Sequence, residues 1–167
     1  MIIYHPYKDA NHCTYRIISI LHKCQKPVNI NYLHLADFYH LFPSQLKNIE
    51  KWPRKNSQWY KHIQKLDDTY ESFDNPKRVF YELKNIRRNV LINLLSKKII
   101  TYLDSNKNLI KLNKELLPDS ILETLNNDSF RTSLEFLAIT DHMESLTLYG
   151  ESGLKAKSGL MEYRYDI

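Results

Sequence analysis

The stretch Leu94-Leu-Ser-Lys-Lys-Ile-Ile-Thr-Tyr-Leu-Asp-Ser-Asn-Lys-Asn-Leu-Ile-Lys-Leu112 decides how this chain is read. It opens in the last turn of an apolar-periodic segment and passes through Lys97-Lys98. Two β-rich runs follow, Lys98–Leu103 and Leu109–Leu112, on either side of Asp104-Ser-Asn-Lys-Asn108. Short polar side chains bond to nearby backbone and favour turns, so the pattern predicts a helix that ends in a cationic turn and feeds a β-hairpin. Just upstream, Asn75-Pro76 is a helix start, a capping side chain followed by proline in the first turn. Val79, Leu83, Ile86, Val90 and Leu94 then step by three or four to Ser96.

Working outward, Asp9 caps a helix that runs to Gln25, with Cys13, Ile17, Ile20, Leu21 and Cys24 on one stripe. Pro27-Val28-Asn29-Ile30 reads as a short extended link. Asn31 opens a second helix, apolar on more than one face, which Pro43 stops; residues 44–49 form a short third helix. Residues 50–57 are a basic loop, Gln58–Tyr70 is amphipathic through Trp59, Ile63, Leu66 and Tyr70, and Asp67–Asp74 is an acidic link. Two more helices follow the hairpin, Asp119–Leu125 and Ser129–Leu146. The expected fold is mainly α with a small β-hairpin (α+β). Helix, short strand, helix, short helix, then a basic helix entering a hairpin is the layout of a winged helix, although an unrelated α+β domain shares many of these features. The expected organisation is a winged-helix-like domain over 1–147, with extra helices and a basic, aromatic insert at 50–75. An extended C-terminal tail occupies 148–167.

A chain of 167 residues is normally one domain. At 43% hydrophobic and 26% charged it is ordinary globular material. No apolar run approaches the ~18 residues of a membrane span, and Met1-Ile-Ile-Tyr-His-Pro6 lacks the basic start and apolar stretch of a signal peptide. A cytoplasmic location is expected. Cys13 and Cys24, three turns apart on one helix, would stand about 16 Å apart along its axis, beyond the ~7 Å reach of a disulfide. They read as small core hydrophobes.

The net charge of +5 is unevenly distributed. Residues 47–65 carry Lys47, Lys51, Arg54, Lys55, Lys61 and Lys65 against Glu50, and residues 77–98 carry seven bases against Glu82. The sign then reverses over 115–144, where seven acids face Arg131 alone. One part of the protein can face an anion and another cannot, which favours nucleic acid or an acidic protein surface as one partner. Lys51, Arg54, Lys55, Lys61, Lys65, Arg87, Arg88, Lys97, Lys98 and Lys107 are the candidate nucleic-acid contacts. Trp52, Trp59 and Tyr60 can stack on bases or, as the position of Trp59 on the apolar stripe suggests, pack in the core.

All three glycines fall near the C-terminus, at Gly150, Gly153 and Gly159. The body is therefore expected to turn its corners with Pro, Asn, Asp and Ser. The terminal segment repeats Ser-Gly-Leu at 152–154 and 158–160. It reads either as a frayed tail or as a docking element through Leu148, Tyr149, Gly150, Gly153, Leu154, Gly159 and Leu160; its leucines and tyrosines favour docking.

Chemistry finds few candidates. The seven histidines are scattered without zinc-site spacing, and His12 beside Cys13 is a weak ligand pair. Asp74 with Glu82-Leu-Lys84 imitates the Asp…Glu-x-Lys pattern of metal-dependent nucleases, but Glu82 and Lys84 diverge on a helix. Thr140-Asp-His142 has no nucleophile elbow to serve, and no Gly-rich phosphate loop occurs. No catalytic, cofactor-binding or metal-ligating residues are assigned, and the chain is not expected to be an enzyme.

Tyr4-His5-Pro6 before the helix holding His12-Cys13, the run Asp37-Phe-Tyr-His-Leu-Phe-Pro43, and the end Leu148-Tyr-Gly-Glu-Ser-Gly-Leu154…Ser158-Gly-Leu160 together resemble the middle components of bacterial ABC three-component defence systems. The small subunit of Lamassu-type anti-phage and anti-plasmid systems is the nearest likeness. The resemblance covers most of the chain and is weakest over 50–75. It implies a non-catalytic winged-helix subunit bridging an SMC-like coiled-coil ATPase and an effector, a nuclease, in a complex that senses foreign double-stranded DNA, with no membrane partner. The docking role of Gly153-Leu154 and Gly159-Leu160 is strengthened by it. The alternative is a stand-alone winged-helix transcriptional regulator that binds operator DNA itself.

Overall fold

The computed structural model describes residues 8–52, 57–67 and 75–164. Asp9 accepts from the backbone N–H groups of Asn11 and His12 and caps α1 (Ala10–Cys24), whose buried stripe includes Cys13, Ile17, Ile20 and Leu21. β1 (Val28–Asn29) leads into α2 (Ile30–Leu41). The cap of α2 is Asn29 rather than Asn31, because the Asn29 side chain accepts from the Asn31 N–H. α2 is buried over most of its surface, and Pro43–Asn48 continues as a 3-10 turn. α3 (Gln58–Gln64) is capped by Ser57.

Asn75 and Pro76 start α4 (Pro76–Glu82), and a kink at Leu83 leads into α5 (Lys84–Ser96). β2 (Ile100–Tyr102) and β3 (Leu109–Leu112) form the expected hairpin, with Ile100 opposite Leu112. β1 pairs antiparallel with β3, so the hairpin is part of a three-stranded sheet of order β1-β3-β2. One residue in two on β3, Ile110 and Leu112, faces the core, as strand alternation requires. α6 (Asp119–Asn127) follows. The architecture is α+β, mainly helical.

Further expectations change here. The helix expected over Gln58–Tyr70 ends at Gln64, and Tyr70 lies outside the described residues. The segment 129–146 is not one helix. It divides into a 3-10 turn capped by Asp128, α7 (Leu134–Leu137) capped by Ser133, and a π-helical turn at Ala138–Met143. Ser133 takes extended backbone and spends its hydroxyl on the Phe136 N–H, which stops one element and starts the next. Nor are the corners made only by Pro, Asn, Asp and Ser. Left-handed backbone falls on Gln25, Lys51, Lys98 and Lys107, a strained choice for side chains with a Cβ.

The core joins α1, α2, α5, the sheet and the 136–143 segment. Trp52 and Trp59 belong to it: they meet edge to face, Trp52 donates to the Leu46 carbonyl, and Trp59 stacks on His142. Both are buried and so are not base-stacking platforms. Both cysteines are free. Burial pushes the Cys13 thiol up to about 12 and the Cys24 thiol to about 11; Cys13 lies in the core as expected, whereas Cys24 is half-buried against it. Among the described residues no helix is long and apolar enough to cross a membrane.

Candidate functional site

Residues 148–160, expected as an extended tail, fold back onto the body. The chain turns at Gly150 (φ +85°) and closes a loop in which Leu154 N–H donates to Thr147 O (2.7 Å) and Lys155 N–H to Leu148 O (3.1 Å). These bonds occupy the first donors of α8 (Leu154–Ser158), which ends at left-handed Gly159. Gly153 makes the closure possible. A Cβ there would press on the Tyr149 carbonyl oxygen and lie 2.7 Å from Leu148 O. Glu50 N–H then donates to Lys157 O, tying α8 to the body.

The consequence for docking is direct. Leu154 is 1% exposed and Leu160 4%, both inside the chain's own core. Leu154 shares a cleft with Val28, Tyr32 and Leu148, and Leu160 one with Phe38, Tyr39 and Pro76. The two Ser-Gly-Leu leucines hold the segment down rather than offer themselves to a partner. Of the docking residues, Tyr149 is 41% exposed, Gly150 and Gly159 are exposed, and Leu148 is half-buried. The Tyr149 hydroxyl accepts from Asn29 Nδ2 at 2.8 Å, which fixes its ring beside the sheet.

The candidate nucleic-acid residues divide. Arg87 is withdrawn: it is 2% exposed, donates to His34 O (2.7 Å) and Phe80 O (2.5 Å), and lies over the Phe80 ring. On the inner side of α5 the His34 and Phe80 carbonyls take up Nη1 and Nη2, which lowers the cost of burying the guanidinium, while Nε reaches no partner among the described residues. Arg88, Lys97, Lys98 and Lys107 are exposed along α5 and the hairpin. Lys61 on α3 and Lys65 just after it are exposed, and α3 packs against α7 and the Pro43–Asn48 turn. Lys51 is exposed, while Arg54 and Lys55 lie outside the described residues, as do Asp74 and Tyr4-His5-Pro6. Glu82 pairs with Arg78 at 2.9 Å.

The acidic half is partly spent on internal pairs. Glu144 holds Lys26, Glu135 holds His62, and Asp128 accepts from the Tyr15 hydroxyl at 2.5 Å. Glu115, Asp119, Glu123 and Asp141 are exposed.

Two features had no sequence signal. Arg16 and Asp37 form a buried ion pair (2.7 Å) beneath a groove lined by Tyr15, His40, Glu123 and Asp128. Arg16 Nη2, Asp37 Oδ2 and His40 Nε2 reach no hydrogen-bond partner among the described residues. Burial lowers both His34 and His40 to about 4, so both rings are neutral at pH 7. The second feature is the solvent face of α5. It carries Asn85, Asn89 and Asn93 beside Arg88, and Ile92 is 54% exposed. Among the described residues no three or more His, Cys, Asp and Glu side chains group as a metal site.

Neither a curated protein nor a solved structure matches the chain. One family model does, over residues 2–166, and the protein belongs to the family it describes, the ABC-three component (ABC-3C) system Middle Component 5.

Proposed function

We propose that this chain is the non-catalytic bridging subunit of a defence complex. It joins an SMC-like coiled-coil ATPase to an effector nuclease and contributes to sensing of foreign double-stranded DNA. The middle-component match over residues 2–166 carries this reading, since a middle component has the other components of its system as partners. The surface supports it. Joining protein components while sensing DNA needs unlike faces, and the protein exposes Lys84, Arg88, Lys97 and Lys98 on one segment, a face for the polyanion, and Glu115, Asp119 and Glu123 on another, a face for a protein component. The helix-strand-helix start, the three-stranded β1-β3-β2 sheet and the passage from α5 into the hairpin support a winged-helix-type body. The Lamassu-type likeness belongs to the same proposal.

The test is co-expression with the other components of the system and capture through a tag on this chain. Glu115→Lys/Asp119→Lys/Glu123→Lys should release one component and keep the other. Loss of both or of neither would refute the two-face bridge.

A further inference from the structure

α5 is 13 residues long, about 20 Å of helix. At 100° per residue, Lys84, Asn85, Arg88, Asn89, Ile92, Asn93 and Ser96 fall within about half of its circumference, and each of them is exposed. That half contains no acid. Glu82, at the end of α4 just before it, pairs with Arg78. The side chains of Asn85, Arg88, Asn89 and Asn93 make no hydrogen bond to the described residues, so their donors and acceptors are free for a ligand. Lys97 and Lys98 continue the face at the helix end, and Lys107 and Lys111 stand exposed on the hairpin.

The choice of residues runs against stability. Packing decides nothing on a solvent face, and asparagine is among the poorer helix formers because its amide competes for backbone bonds. Three of them at four-residue spacing on one face need another reason. Their chemistry supplies one: a primary amide matches the N6/N7 edge of adenine bidentately, an arginine matches O6/N7 of guanine, and an aliphatic tip such as Ile92 suits the thymine methyl. The spacing agrees. Asn85 to Asn93 is about 12 Å along the axis, three to four base-pair steps at about 3.4 Å, and a major groove about 12 Å wide admits a helix.

We propose that the exposed face of α5 reads duplex DNA in the major groove, with Asn85, Asn89 and Asn93 on adenine edges, Arg88 on guanine, and Lys84, Lys97 and Lys98 on phosphate. This rests on the DNA contact proposed above and gives it a face and a base preference. A protein surface is the competing occupant. The acid-free face and its lysine rim favour a polyanion.

The experiment uses the full chain and two labelled duplexes of equal length, one rich in A·T steps and one entirely G·C, titrated at several salt concentrations. The wild type should prefer the A·T duplex by about tenfold or more. Asn85→Ala/Asn89→Ala/Asn93→Ala should abolish that preference and leave the salt slope unchanged. Lys97→Ala/Lys98→Ala should weaken both duplexes alike and reduce the slope by about 2. Binding without base preference, or a preference that survives the triple substitution, overturns base reading while DNA contact stands. Absence of duplex binding at low salt overturns the contact itself. If the triple substitution instead releases a partner subunit and leaves DNA binding intact, the face is a protein interface and the proposal fails.

Discussion

Gly153→Ala tests the closed C-terminal loop most sharply. The added methyl would meet two backbone oxygens, Tyr149 O and Leu148 O, and backbone cannot swing aside as a side chain can. To make room, the loop must give up the Leu154–Thr147 and Lys155–Leu148 hydrogen bonds, at about 1 kcal/mol each. Detaching the segment would also expose Leu154 and Leu160, at about 1.5–3 kcal/mol each. Full detachment therefore costs roughly 5–8 kcal/mol, and partial relaxation leaves an expected loss of about 2–4 kcal/mol. Gly150→Ala and Gly159→Ala are the controls. A Cβ at either site meets nothing within 4 Å, and only the left-handed backbone penalty of about 1–2 kcal/mol applies. Thermal unfolding should show a drop of roughly 4–16 °C for Gly153→Ala and about 2–8 °C for each control. Equal losses at the three positions would refute the loop closure.

Arg87→Ala should lower stability by about 3 kcal/mol or more, by orphaning the His34 and Phe80 carbonyls and emptying the site beside Phe80. Arg88→Ala, one residue on, should change stability by less than about 0.5 kcal/mol; urea unfolding of the pair separates them. Gln25→Gly should raise the melting temperature by about 2–4 °C, since left-handed backbone at φ 59° relieves more strain in glycine than its added chain entropy costs. His34 and His40 sit near 4 when folded against about 6.5 unfolded, so the unfolded chain binds more protons below pH 6.5. Stability is full above pH 6.5 and falls as pH drops towards 4, by about 3 kcal/mol per histidine. Denaturant titrations across that range should flatten in His34→Gln, and an unchanged pH slope would contradict its burial as a neutral ring.

What the sequence disclosed was mostly local. Asp9, Asn75-Pro76 and the Asp104–Asn108 turn announce their elements because a capping or turn side chain acts within a few residues. The pairing of β1 with β3 was not legible: two residues carry no alternation, and their partner lies some eighty residues away. Arg87 and Arg88 look alike in sequence, and only the three-dimensional position of the Phe80 and His34 carbonyls turns one inward. The apolar residues of 148–160 suit a docking element by composition, yet Leu154 and Leu160 are covered by the chain's own core, which Gly153 brings within reach. The α5 asparagines carry neither charge nor hydrophobic periodicity, so nothing in the sequence singles them out.

The central claim is the bridge. Its most direct measurement is the mass of the assembly formed when this chain is mixed with the purified ATPase and effector components, read by light scattering on a sizing column. A single ternary species that falls apart into separate ATPase and effector peaks when this chain is omitted is the predicted result. An ATPase–effector complex that assembles equally well without it, with this chain eluting alone, would contradict the account.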